Sequence, residues 1–156
     1  MKKTILFLVL SVVLVFLIGR GIEPPSTTYG EIVHTSVRKF YENYEILNLC
    51  HIEKDGKPTL DNLCVVDDTQ EGIDVLCISF LHSKDNHGEY ISTETITADN
   101  IKIGKTYSTE DNFENIIVEY IICEKKDIPP STLQKEKFKF NGQNMYLCIT
   151  NFTEKI

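Results

Sequence analysis

The sequence predicts an α+β domain in which one N-terminal amphipathic helix packs on an antiparallel sheet of about seven strands; a β-sandwich or barrel carrying the helix on its outside is the alternative arrangement. Three observations lead there. Ala98 is the sole alanine and tryptophan is absent, while Ile, Thr and Tyr are frequent, a composition that disfavours helix and suits strands. Only one segment shows helical periodicity. The rest of the chain breaks into short apolar runs separated by Asp-Gly, Asn-Gly and polar clusters.

The first element is not part of that domain. Lys2 and Lys3 precede an apolar run from Ile5 to Ile18, interrupted only by Ser11, and Gly19-Arg20-Gly21 then places small residues two apart before Glu23-Pro24-Pro25. Charge, apolar stretch, small-x-small and a breaker, in that order, read as a signal peptide over residues 1–21, leaving 22–156 as a single disulfide-containing, strand-rich domain. The apolar run is shorter than the roughly 20 residues that cross a bilayer. The rival reading is an uncleaved anchor, a single-pass membrane protein held through residues 5–18. Secretion is the expected localisation.

Residues 26–44 predict the helix. Tyr29, Ile32, Val33, Val37, Phe40, Tyr41 and Tyr44 recur at steps of three and four, and Thr28 with Glu31 matches a capping box. Strands are then expected over 45–53, 59–66, 73–82, 89–97, a short piece at 101–107, 115–124, 136–140 and 144–152. Asp55-Gly56 and Asn141-Gly142 are hairpin dipeptides. The segments 73–82 and 115–124 are the most apolar and are expected at the centre of the sheet. Pro129-Pro130 supplies no backbone donors and marks a crossing between strands.

Five cysteines lie at 50, 64, 77, 123 and 148, none in a zinc-type spacing. In an oxidising compartment disulfides are the default. Cys50 with Cys64 across the Asp55-Gly56 hairpin, and Cys123 with Cys148 across the last two long strands, are the candidate pairs. Cys77, inside an apolar run, is the candidate free thiol. Asn151-Phe152-Thr153 is a glycosylation sequon, which makes Asn151 a candidate acceptor.

No catalytic, cofactor or metal motif stands out. His82, Asp85, His87 and Glu89 surround one polar turn without an established ligand spacing. The acidic turn from Asp67 to Gly72 lacks the alternating ligand order of a calcium loop. His34 and His51 are candidate bases for a cysteine nucleophile, but no protease-like signature surrounds any cysteine, and G-x-S-x-G is absent. Of the 16 basic residues three precede residue 22, leaving 13 against 23 acidic ones in the domain. Such a surface repels phosphate backbones and argues against nucleic acid.

The expected function is therefore that of a small, acidic, secreted binding protein rather than an enzyme, its partner an extracellular protein of basic character. The alternatives are a carrier of a small apolar ligand and a secreted protease inhibitor. In layout, a helix followed by hairpins and late cysteines resembles the cystatins, although the chain has neither their Gln-x-Val-x-Gly loop nor, lacking Trp, their Pro-Trp hairpin.

Overall fold

The computed structural model describes residues 28–68, 72–82, 88–110 and 115–155. The predicted leader, residues 1–21, lies outside them. Among the described residues no helix is long and apolar enough to cross a membrane.

The described residues form one short α-helix, α1 (Tyr29–Val37), and eight strands: β1 (Tyr44–Lys54), β2 (Lys57–Asp68), β3 (Gly72–His82), β4 (Gly88–Ala98), β5 (Thr106–Glu110), β6 (Ile116–Glu124), β7 (Gln134–Phe140) and β8 (Gln143–Glu154). They make two four-stranded antiparallel sheets, ordered β1-β2-β3-β4 and β5-β6-β8-β7, rather than one sheet of seven. No barrel closes. The single-sheet expectation fails because strand count and hydrophobicity do not say which strands pair; the chain leaves the first sheet after β4, and β5 pairs only with β6.

The reason for two sheets lies in β2 and β3. Leu63, Cys64, Val65 and Val66 are all fully buried, as are Val75, Leu76, Ile78 and Phe80. Consecutive buried residues mean that both faces of this sheet are covered. On one face Leu63, Val65, Val75 and Cys77 join Ile116, Val118, Tyr120, Ile122, Met145, Leu147 and Ile149 of the second sheet in one core. On the other face Cys64, Val66, Leu76, Ile78 and Phe80 pack against Ile32, Val33 and Val37 of α1 and against Tyr41. The layers run helix, first sheet, second sheet.

The helix is shorter than its periodicity predicts. Its start is as expected: the Thr28 side chain accepts from the Glu31 N–H while the Glu31 carboxylate accepts from the Thr28 N–H at 2.9 Å. It stops at Val37, and turns through Lys39 and Phe40 carry Tyr41 onto the same apolar face. Tyr44 is already paired with Asp68 as the first residue of β1. Sheet pairing takes the end of the helical stripe and leaves Phe40 42% exposed. The helix is also tied laterally, because the Glu94 carboxylate on β4 accepts from Ser36 Oγ (3.0 Å) and from Lys39 Nζ (2.7 Å).

Both dipeptide turns form as predicted. Asp55 and Gly56 (φ 53° and 72°), and Asn141 and Gly142 (φ 48° and 77°), all occupy the left-handed region that tight hairpins need. The segments 73–82 and 115–124 become β3 and β6, each interior to its own sheet. The short strand moves from 101–107 to 106–110, because Ile101 is held to Ile73 by a 2.7 Å backbone bond and the chain turns at Gly104 (φ 82°) before pairing begins. In the second sheet β8 lies between β6 and β7, so the β6–β7 connection with Pro129-Pro130 must pass over it. Ile128 packs there on Ile121, Cys123, Cys148 and Tyr146, on the face away from the main core.

Two polar ties join the sheets. Gln134 on β7 donates to the His51 carbonyl (2.6 Å) and accepts from the Glu53 N–H (3.1 Å), and Thr97 Oγ1 meets the Tyr120 hydroxyl at 2.7 Å. The packing predicts that Leu63→Ala will lower unfolding free energy by about 2–5 kcal/mol. Leu133→Ala, at a position 62% exposed, will change it by less than about 0.5 kcal/mol. Urea denaturation of the two variants checks the contrast.

Candidate functional site

The cysteines do not form the predicted hairpin bridge. In the β1–β2 register Cys50 stands opposite Leu63, and Cys64 opposite Leu49. Neighbouring positions on paired strands point to opposite faces: Cys50 lies in the core between the sheets and Cys64 under the helix. A Cys50–Cys64 disulfide would have to pass through the sheet, and both cysteines are free thiols. Cys77 faces the inter-sheet core opposite Leu63. Cys123 and Cys148 do share a face, on the adjacent strands β6 and β8, each opposite a residue two places from the other, but they too are free thiols and the second predicted bridge is not formed. All five are buried thiols. Burial pushes the Cys50 and Cys64 thiols up to about 12, and burial, with the neighbouring Cys148, does the same to Cys123. Thiols held protonated in this way are poor nucleophiles.

The histidines are likewise committed elsewhere. His51 is the neighbour of Cys50 in sequence but projects to the helix side, where its Nδ1 bonds the Asn62 side chain. Asn62 is itself fully buried and donates to the carbonyls of Leu60 (3.0 Å) and Ile78 (3.1 Å). His34 is exposed, with Nδ1 3.1 Å from the Tyr44 hydroxyl. Neither ring meets a cysteine sulfur. Asp85, His87 and residues 69–71 lie outside the described residues, so the polar-turn cluster with His82 and Glu89 and most of the acidic turn receive no structural description. Among the described residues no three His, Cys, Asp or Glu side chains converge as a metal site. Asn151 is exposed on β8, and its amide donates to Thr153 Oγ1 of the same sequon at 3.2 Å.

Two acidic features emerge that periodicity does not reveal. The first is a crowd at one end of the first sheet. Asp74, only 4% exposed, accepts from the Asn100 N–H and lies beside the buried Tyr41 hydroxyl, which does not reach hydrogen-bonding geometry with it. Burial, above all, raises the Asp74 carboxyl from its usual range; the charges of Asp99 and Asp68 add to the shift, and the Asn100 bond and the nearby Tyr41 hydroxyl partly oppose it. Tyr41 is raised well above the usual phenol range, again chiefly by burial and then by Asp74.

The second is a hollow of about 340 Å³ between the β1–β2 hairpin, the start of β7 and the end of β8, lined by Glu53, Asp55, Gly56, Leu133, Gln134 and Phe152. It combines two exposed carboxylates with an apolar floor, and no basic residue lines it. The Asp55-Gly56 turn was legible in sequence. The approach of Leu133 and Phe152, some 80 to 100 residues further along the chain, depends on the β7 edge being tied to β1 by Gln134. The other described hollows flank the helix: one is lined by His34, Arg38, Tyr41, Glu42, Asn43 and Tyr44, the other by Thr28, Gly30, Glu31, His34, Thr35 and Arg38, and both open widely to solvent.

The Asp74 carboxyl yields a pH prediction. A carboxyl whose folded pKa is raised binds its proton more tightly in the native state, so it lowers stability as pH rises from the unfolded value through the folded one, and the cost persists above that. Asp74→Asn, which keeps an acceptor for the Asn100 N–H, is expected to raise the melting temperature at neutral pH by roughly 2–4 °C. It should leave the melting temperature at pH 3 nearly unchanged. Thermal denaturation between pH 3 and 8 measures both, and a variant that melts lower than the parent at neutral pH contradicts the assignment.

Comparison with protein-family models, with curated proteins and with solved structures finds no match to this chain.

Proposed function

We propose that the protein is a secreted binding protein whose acidic surface takes a basic extracellular protein, with the hollow at the β1–β2 turn as the contact point. The observation that carries the reading is the composition of that hollow. Glu53 and Asp55 stand beside Leu133, a large apolar side chain 62% exposed, and half-buried Phe152. A Lys or Arg of a partner has an aliphatic stem and a cationic head, and would lay the first on Leu133 and Phe152 and the second on the carboxylates. The acidic excess of the domain, 23 against 13, would draw such a partner in from a distance and give the association a strong salt dependence.

This reading is favoured over a carrier of a small apolar ligand. The described hollows open to solvent and carry charged rims, and the space between the sheets is occupied by the side chains of one continuous core. Export rests on the order of charge, apolar stretch and small residues at the N-terminus.

Basic proteins of extracellular fluid should be retained by the immobilised domain at about 20 mM salt and released near about 500 mM, as expected for contacts screened over a shortening Debye length. Exposed ion pairs contribute about 0.2–1 kcal/mol each. The double variant Glu53→Gln, Asp55→Asn is therefore expected to weaken binding of a retained partner by about two- to tenfold, as read by surface plasmon resonance. Absence of any retained protein at the lower salt would count against the proposal. Sequencing the N-terminus of the exported product tests the compartment separately, with Ile22 the expected first residue; recovery of Met1–Arg20 on a lipid-embedded chain would refute secretion.

A further inference from the structure

The acidic charge of this chain is unevenly placed. Residues 22–124 carry 7 basic and 20 acidic side chains, whereas residues 125–139 carry five lysines against Asp127 and Glu136. Three of those lysines form a line. Phe138 points into the main core and Phe140 packs against its edge, so Lys135, Lys137 and Lys139 alternate onto the opposite, outward face of β7, and all three are exposed. At about 3.4 Å per residue they stand in steps of nearly 7 Å over some 13 Å.

Their cross-strand partners are neutral. Across the ladder Lys135 faces Cys148, Lys137 faces Tyr146 and Lys139 faces Asn144. None of the three joins a salt bridge among the described residues, whose ion pairs are Lys39–Glu94, Lys126–Glu124 and Lys155–Glu110. Of the carboxylates on this side of the sheet, Glu119 and Glu110 belong to β6 and β5 on the far side of β8, Glu110 is taken by Lys155, and Asp127 lies in the β6–β7 connection, close enough to Cys123 to raise its thiol. Lysines on an edge strand discourage edge-to-edge pairing. That role does not require their cross-strand neighbours to be neutral in a chain so rich in carboxylates, where an opposite charge would stabilise the ladder.

We propose that the outward face of β7 is a binding row for a linear polyanion, a sulfated polysaccharide chain, lying along Lys135, Lys137 and Lys139. Shape decides the class of partner. A flat anionic membrane would lie over the whole outward face of the second sheet, Glu119 and Glu110 included, and membrane surfaces are held by clusters of about four to eight basic residues. A rod-like polymer touches the row alone. Its anionic groups recur along one axis, as the ammonium groups do, and half-buried Tyr146 stands beside Lys137 on the same face. Gln134 fixes the start of the row by bonding β7 to β1, so the lysine stems are displayed on a braced strand. The preference for a sulfated sugar over a nucleic acid rests on the export reading; the row itself does not depend on it.

The test uses the full chain and immobilised heparin as the probe. Retention is expected at about 50 mM salt, and the logarithm of the binding constant should fall with that of salt at a slope of about 2–3, near one released counterion per lysine. The triple variant Lys135→Gln, Lys137→Gln, Lys139→Gln should pass through unretained, with an unchanged far-ultraviolet circular dichroism spectrum. The triple arginine variant should be retained as the parent is, which separates loss of charge from loss of fold. The proposal is overturned if the parent chain is not retained, if the glutamine variant binds as tightly as the parent, or if vesicles with about 30% phosphatidylserine or a single-stranded oligonucleotide bind through the row while heparin does not. These outcomes are independent of where the exported chain begins, which N-terminal sequencing alone decides.

Discussion

Burial on both faces of the β2–β3 pair is the constraint on which the rest of the structure depends. Two adjacent strands with unbroken apolar stretches cannot present one face to water, because each successive side chain points the other way. One face is closed by Ile32, Val33, Val37 and Tyr41, the other by the inward residues of β6 and β8. Remove either cover and at least four large side chains of the first sheet are exposed. Each such side chain represents about 1.5–3 kcal/mol of burial free energy. The short helix is therefore a necessary layer, although it has few residues of its own.

Polar groups within this packing are placed where a partner exists. Asn62 bonds two carbonyls through its amide and His51 through its oxygen, and Ser79 donates to Asp61 across the β2–β3 ladder. Gln134 and the Thr97–Tyr120 contact join the sheets near their two edges. Such bonds add little net stability each, but leaving any of these groups buried and unpaired would cost more. They fix how the two sheets sit, and so which loops meet at the Glu53–Leu133 hollow. The Asn48 amide is one exception, and the Asp74–Tyr41 pair is another. There burial and neighbouring carboxylates work against the charged form, at an end of the sheet where Asp67, Asp68 and Asp99 also gather.

The charge pattern divides along the same architecture. The acidic residues belong mostly to the chain up to the end of β6, and the lysine row to the outward face of an edge strand in the second sheet. The two proposed sites meet at the start of β7 on opposite faces of the strand, where Gln134 lines the acidic hollow and Lys135 begins the row.

Local chemistry in the sequence determined what is local in the molecule: the capping box at Thr28 and Glu31, the positive-φ turns at Asp55-Gly56 and Asn141-Gly142, the strand character of nearly every predicted segment, and the interior places of β3 and β6. The lysine alternation in 134–140 was also plainly written there. What only the tertiary structure decided were relations between distant residues. Cys50 and Cys64 flank one hairpin, yet the register turns them to opposite faces; Tyr44 fits the helical stripe, yet pairing with Asp68 makes it a strand; Leu133 and Phe152 meet Glu53 because the two sheets pack and are pinned at an edge. The physical reason is the same throughout. A residue's side chain and its near neighbours set backbone preference, whereas strand register, sheet membership and facing depend on long-range pairing, whose free energy belongs to no single segment.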